Sequence, residues 1–244
     1  MRILDGVYIV GGAGYNLSGG CNVYLIDAGG ELLLIDIGSE DDVKLVEENI
    51  RAEDLNPKDV SVLFITHPHK DHAGGAIRAK RLFKCRLAAH KITAEIIESG
   101  FQKSQKPSVD QVEIKLSGGE SLTFRDLEVQ VLDTPGHTRE GGDLCYLIEA
   151  NGKSILFTGD VAFKCEGGLM GGHPVTAWIG KRSQEDIETY LNSLRSLLEN
   201  VKPDILLPGH GLLALRCGWR ELDECIRIVA KHLEESARHG DLKF

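Results

Sequence analysis

Tyr24-Leu25-Ile26-Asp27-Ala28-Gly29-Gly30 recurs in the second half of the chain as Tyr146-Leu147-Ile148-Glu149-Ala150-Asn151-Gly152. Each copy is followed by a second apolar run that ends near an aspartate, Asp36 or Asp160. Gly29-Gly30 and Asn151-Gly152 are the residue pairs of tight hairpin turns. Each half of the chain therefore reads as a β-hairpin followed by strand–helix units. Two such halves, packed sheet to sheet with helices outside, make an α/β fold of four layers, an α/β/β/α sandwich.

The surrounding patterns agree with that reading. Residues 23–28, 32–37 and 62–65 are short Val-, Ile- and Leu-rich runs of the kind that form buried strands. Ser39 followed by Asp42 resembles a capping box, and Val43, Val46 and Ile50 then recur at helical spacing. Ser183 with Asp186 opens a second helix, whose apolar positions Ile187, Tyr190, Leu191, Leu194, Leu197 and Leu198 form one face. Leu222, Ile226, Val229 and Leu233 mark a C-terminal helix over 216–238. No linker or low-complexity stretch divides the chain, so residues 1–244 read as one domain. Residues 163–181 are Gly-rich and aperiodic, longer than an ordinary connector, and suit a lid.

Composition narrows the function. The 244 residues carry 28 Lys+Arg against 37 Asp+Glu, a formal charge of −9. That balance argues against a nucleic-acid partner, whose phosphates need neutralising. Hydrophobic residues at 42% and charged residues at 27% are ordinary globular usage. No apolar run approaches the ~18 residues of a membrane span, and Met1-Arg2-Ile3-Leu4-Asp5 does not begin a signal peptide. Six cysteines are too few for a disulfide scaffold and read as reduced, buried side chains. The expectation is a cytoplasmic protein with a small-molecule substrate and neither a membrane nor a nucleic-acid partner; the sequence sets no oligomeric state.

The chemistry lies in Thr66-His67-Pro68-His69-Lys70-Asp71-His72, between the strand 62–65 and a helical stretch over 73–83. Three imidazoles and a carboxylate at a strand end are preferred ligands of zinc and neighbouring first-row ions. Alternate residues of an extended segment point the same way, so His67 and His69 reach one ion. Asp71 and His72, where the chain turns into the helix, face a second. A histidine-rich surface turn would explain this segment alone. It would not explain His137 after the strand 127–132, Asp160 after 155–157 and His210 after 205–207, each in glycine-rich turn chemistry. In an α/β architecture, strand C-termini are where sites form.

At these residues the sequence resembles the metallo-β-lactamase superfamily, over roughly residues 1–215. The resemblance implies the four-layer sandwich already read from the repeat. It also implies a dinuclear centre in which His67, His69 and His137 hold the first metal, Asp71, His72 and His210 the second, and Asp160 bridges them. The expected cofactor is two divalent ions, zinc first, with iron or manganese also suited to the donors. The implied reaction is hydrolysis by a hydroxide bridging the two ions, with Asp71 as the catalytic carboxylate that orients the nucleophile and handles its proton.

Departures from individual branches sort the substrates. β-Lactamases place Cys or Ser where this chain has Asp160. Flavin-coupled di-iron reductases have Glu in place of His69. Glyoxalase II shares all seven ligands but has a basic residue nine positions beyond the bridging aspartate, where this chain has Leu169. Lactonases have Tyr where it has Phe163. What remains is a small carboxyl ester, thioester or lactone. A phosphodiester or phosphotriester is the alternative, and an iron-dependent persulfide dioxygenase a third reading. Around the metals, Phe163, His173 and Trp178 of the 163–181 loop and Tyr15 and Asn16 of the 11–20 loop are candidate substrate-binding residues. For His173 and Trp178 the plainer reading, a surface histidine and a partly buried anchor, stands beside it. His90, at another strand end, reads as structural and not as a ligand.

Overall fold

The structure is a computed structural model that describes residues 1–12, 20–101, 111–163, 179 and 182–239, with side chains described to 235. Twelve strands form two sheets among the described residues. The first holds, in order, β1 (Arg2–Leu4), β2 (Val7–Gly11), β3 (Val23–Asp27), β4 (Leu32–Ile35), β5 (Val60–Phe64), β6 (Arg86–His90) and β7 (Ile114–Leu116). It is antiparallel from β1 to β4 and parallel from β4 to β7. The second runs β12 (Ile205–Pro208), β11 (Lys153–Gly159), β10 (Leu144–Ala150), β9 (Leu127–Asp133), β8 (Ser121–Phe124), with only β11–β12 parallel. The helices are α1 (Val43–Ala52), α2 (Lys70–Ala73), α3 (Ala76–Phe83), α4 (Lys91–Ser99), α5 (Gln184–Asn200) and α6 (Trp219–His239).

The repeated heptapeptides form the β3–β4 and β10–β11 hairpins. Both turns use two consecutive positive-φ residues, Gly29 (74°) with Gly30 (88°) and Asn151 (54°) with Gly152 (66°). That is the backbone that matches the twist of the flanking strands. Side chains alternate across each hairpin. Tyr24 and Ile26 of β3, and Tyr146 and Ile148 of β10, enter one apolar layer between the sheets. Val23 and Leu25 face instead a layer shared with Val43, Val46 and Ile50 of α1. Cys145 and Leu147 face a third layer, with Ile187, Tyr190, Leu191 and Leu194 of α5 and Leu222 and Val229 of α6. Three apolar layers separate four layers of structure, so the α/β/β/α sandwich expected from the repeat is present. Strands covered on both faces need apolar residues at every position. This is why β3, β4 and β12 read as continuous runs: β4 and β12 are buried throughout, and β3 up to Asp27.

The helix ends follow the local signals in part. At α5 the Ser183 side chain accepts from the Asp186 N–H while the Asp186 carboxylate accepts from the Ser183 N–H, a complete capping box. At α1 the expected box is absent. Asp42 accepts from the Ser39 N–H (2.8 Å) and hydroxyl (2.6 Å) and makes no cap bond to the helix. That pair closes the turn after β4 instead. The helical stretch over 73–83 is two helices, α2 and α3, parted at Gly74-Gly75. The C-terminal helix begins at Trp219 and not at 216, because Cys217 takes φ 52° and breaks the helical path. Cys217, exposed, and Cys225, buried, do not form a disulfide with each other. No helix among the described residues is long and apolar enough to cross a membrane.

Ser183→Ala removes an acceptor from the α5 N-terminus and is expected to lower unfolding stability by about 1 kcal/mol, read by urea denaturation. Unchanged stability would show that the cap adds nothing to α5.

Candidate metal centre

Every residue singled out for metal binding sits just beyond a strand C-terminus, at one edge of the sandwich. His67, His69, Asp71 and His72 follow β5, His137 follows β9, Asp160 follows β11, and His210 follows β12. Their side chains converge. His69 Nδ1 lies 3.0 Å from His67 Nε2 and 3.1 Å from His137 Nε2, and Asp160 Oδ2 is 3.7 Å from His137 Nε2. Beside this group, His210 Nε2 lies 3.0 Å from Asp71 Oδ2, 3.2 Å from His72 Nε2 and 3.7 Å from Asp160 Oδ2. His72 Nε2 is 3.3 Å from Asp160 Oδ1. Asp160 thus faces both groups. Within each, the donor atoms lie within 4.8 Å of one another.

Hydrogen bonding does not account for this geometry. His69 Nδ1 faces two ring nitrogens at once, and a neutral imidazole has one donor and one acceptor to share. Asp160 Oδ1 is buried and faces His72 Nε2 at 3.3 Å without a well-aligned hydrogen bond. Ligands at about 2.0–2.1 Å from a tetrahedral zinc stand about 3.3 Å apart, close to the spacings seen here. Gly209 leaves room at the same point: a Cβ there would lie 2.4 Å from His72 Cε1 and 2.6 Å from Asp160 Oδ1. The donor set fits a cation.

Protonation agrees for most of the set. Burial, reinforced by the surrounding rings, holds His67 well below the ordinary imidazole range. Burial likewise lowers His69, and it brings His137 down to about 3. The His210 ring beside Asp71 holds that carboxyl at about 2. Burial opposes charge on Asp160, but the facing His72, His137 and His210 rings outweigh it and keep its pKa far below the usual carboxylate range. Neutral imidazoles and ionised carboxylates are the ligating forms. His72 is the exception. Burial opposes its charge, yet Cys21, Asp160 and Asp36 around it raise its pKa well above the ordinary value. Anions crowd this ring, and a cation at its Nε2 would take the place of that proton.

Residues outside the ligand set orient it. Asp36, buried at the end of β4, accepts from the Thr66 N–H (2.8 Å), the Thr66 hydroxyl (2.8 Å) and His72 Nδ1 (2.8 Å). With its hydrogen given to Asp36, Thr66 Oγ1 accepts from His67 Nδ1 (3.0 Å). Asp36 thereby turns Nε2 of both His67 and His72 toward the centre, as outer carboxylates do for ligating histidines. Asp143 does the same for the His137 turn, accepting from the Gly136 and Thr138 N–H groups, and burial pushes its carboxyl up to about 6. Arg182 donates to the His137 carbonyl. Asp36 carried a sequence signal, since, like Asp160, it lies at the end of the apolar run that follows a copy of the repeat. Asp143 and Arg182 carried none.

Of the candidate substrate residues, Phe163 is buried against the outer helices and packs with their apolar face. Tyr15, Asn16, His173 and Trp178 lie outside the described residues, as does most of the 163–181 loop. His90 caps α4, its Nδ1 accepting from the Ile92 N–H (3.2 Å), and is not among the converging donors.

The fold and the donor set are those of a known class. Residues 18–210 match the family model described as the metallo-beta-lactamase superfamily, and the chain belongs to that superfamily. It is 30% identical over 200 residues to a hydroxyacylglutathione hydrolase of Haemophilus influenzae, covering 78% of this chain and 80% of that protein. It is 29% identical over 192 residues to a thioesterase of Emericella nidulans, covering 79% of this chain and 46% of the relative. The chain spans about half the length of several relatives of this kind. In fold it matches a metallo-β-lactamase from Cronobacter sakazakii with a TM-score of 0.75 at 19% identity, over 98% of each chain.

Asp36→Asn keeps the size and the backbone preference of the residue but replaces one acceptor oxygen with a donor. Metal affinity is expected to fall about 10–100-fold, measured by competition with a chelating indicator. An unchanged affinity would remove Asp36 from the centre.

Proposed function

We propose that this protein is a metal-dependent hydrolase of thioesters, acting on a small molecule in the cytoplasm. The single observation that carries the proposal is the convergence of seven donor side chains on two adjoining points, with Asp160 between them. His67, His69 and His137 would hold one ion, and Asp71, His72 and His210 the other; zinc suits the donors first, and iron or manganese also suits them. Two such ions lower the pKa of a water and polarise a carbonyl oxygen.

The protein's own residues do the rest. Asp71 has a side chain 48% exposed, so it stands at the mouth of the centre. Its low pKa keeps it an acceptor, fitted to orient a water by taking its hydrogen bond and poorly fitted to keep the proton. A thiolate leaving group, with an ordinary pKa near 8.5, needs little protonation to depart. A thioester therefore asks for no strong general acid, and none stands among the described residues of the centre. The relatives whose names are thioesterase and hydroxyacylglutathione hydrolase support the same substrate class. Leu169, in place of the basic residue expected of a glutathione enzyme, favours a thioester whose thiol half is uncharged near that position.

The test is a panel of thioesters, carboxyl esters, lactones and nitrophenyl phosphoesters with the zinc-loaded enzyme. A kcat/KM for thioesters at least tenfold above the other classes is expected. A preference for phosphoesters would overturn the assignment. Asp71→Asn is expected to lower kcat about 100-fold; full turnover in that variant would remove Asp71 from the mechanism.

A further inference from the structure

The repeated heptapeptides do more than build two hairpins. Tyr24 and Tyr146 hold corresponding places in the repeat, on the interior strands β3 and β10, and both are buried between the sheets. Both hydroxyls reach across to the other sheet. Tyr146 donates to the Ile65 carbonyl at 2.7 Å, and Tyr24 donates to the Pro208 carbonyl at 2.7 Å. Ile65 lies two residues before His67, and Pro208 two residues before His210. Each tyrosine thus reaches across the sandwich to the turn that carries a converging histidine of the other sheet.

The exchange extends to the backbone. Leu144, two residues before Tyr146, donates its N–H to the Thr66 carbonyl (2.8 Å), one residue before His67. Asn22, two residues before Tyr24, donates its N–H to the Gly209 carbonyl (2.6 Å), one residue before His210. Each half therefore grips the other at the same two positions of a histidine turn. The rings are locked as well. Tyr24 packs on Phe157 with centroids 5.4 Å apart, and Tyr146 packs on Phe64 at 5.0 Å. Pro208 alone has a second donor at its carbonyl, the Asn22 side-chain amide at 3.0 Å.

We propose that Tyr146 and Tyr24 are positioning residues of the metal centre, each fixing through one carbonyl the ligand turn supplied by the opposite sheet. This rests on the metal-centre reading above. Tyr146 serves the His67, His69 and His137 group. The His72 end of the same turn has bonds that do not involve the Tyr146 hydroxyl, from Asp36 to His72 Nδ1 and from the Ile37 N–H to the His72 carbonyl (3.1 Å). Tyr24 serves the His210 side of the Asp71, His72 and His210 group. The two hydroxyls therefore act on different ions.

The experiment is a zinc titration of the whole protein against a chelating indicator, resolving two dissociation constants per chain. His69→Ala and His210→Ala assign the two steps. Tyr146→Phe removes one hydroxyl and leaves the ring. It is expected to weaken the step lost in His69→Ala about tenfold and to leave the other within about threefold. Tyr24→Phe is expected to weaken the opposite step by less, because Asn22 still holds Pro208. It keeps the proposal testable if Tyr146→Phe fails to fold. Asp204→Ala is the control: its carboxylate accepts from Ser154 at the N-terminal ends of β11 and β12, the opposite edge of the sandwich, so stability falls with both constants unchanged. If both constants move together in each tyrosine variant, or neither moves, the proposal falls while the metal centre stands. A wild type that binds fewer than two zinc ions overturns the metal centre, and the proposal with it.

Discussion

Asp36 takes three hydrogen bonds on one buried carboxylate, two from Thr66 and one from His72. Those residues bracket the motif, so a single side chain closes the turn between β5 and α2 and sets its width. Without that clamp, His67 and His72 would be free to rotate, and neither Nε2 would be committed to the centre. The residue adopts φ 59°, a left-handed conformation that Asp tolerates better than most residues. Its short side chain then reaches back under the turn. Cys21 lies against the same pair, but Asp36 is already committed to Thr66 and His72, so this trio supports the ligands instead of forming a further site.

The remaining architecture delivers other turns to the same place. Strand C-termini of both sheets meet at one edge, so each turn is within reach of the opposing sheet as well as of its own. Tyr24 and Tyr146, buried between the sheets, each use one hydroxyl to brace a turn of the opposing sheet. A buried carbonyl left unpaired costs roughly 1–3 kcal/mol; the Tyr146 hydroxyl meets that need at Ile65, and the Tyr24 hydroxyl with the Asn22 amide meets it at Pro208. Glycines stand where the turns crowd. Gly136 has φ 127° and would push a Cβ to 2.6 Å from Tyr190, and Gly209 lies against His72 and Asp160.

Much of this arrangement is legible in the amino-acid sequence. The repeat discloses the hairpins because turn chemistry and apolar runs are local. The seven donors are legible because imidazole and carboxylate at strand ends are rare without a ligand. Asp36 is visible only as a strand end, since its partners lie 30 and 36 residues away. Asp143 and Arg182 are invisible, being a carboxylate and a guanidinium in a charged, loop-rich stretch with no period to mark them. The false capping box at Ser39-Asp42 shows the limit of local rules: the same two side chains satisfy a turn as readily as a helix. Substrate-contacting residues are least legible, because loop sequence has no period and a wall is defined by what faces it.

The central claim is that two groups of side chains sharing Asp160 each hold one ion. Anomalous diffraction from zinc-soaked crystals at the zinc absorption edge tests it directly. The account predicts two peaks per chain, one bounded by His67, His69 and His137, the other by Asp71, His72 and His210, with Asp160 touching both. A single peak, or a peak seated between Cys21, Asp36 and His72, would contradict it.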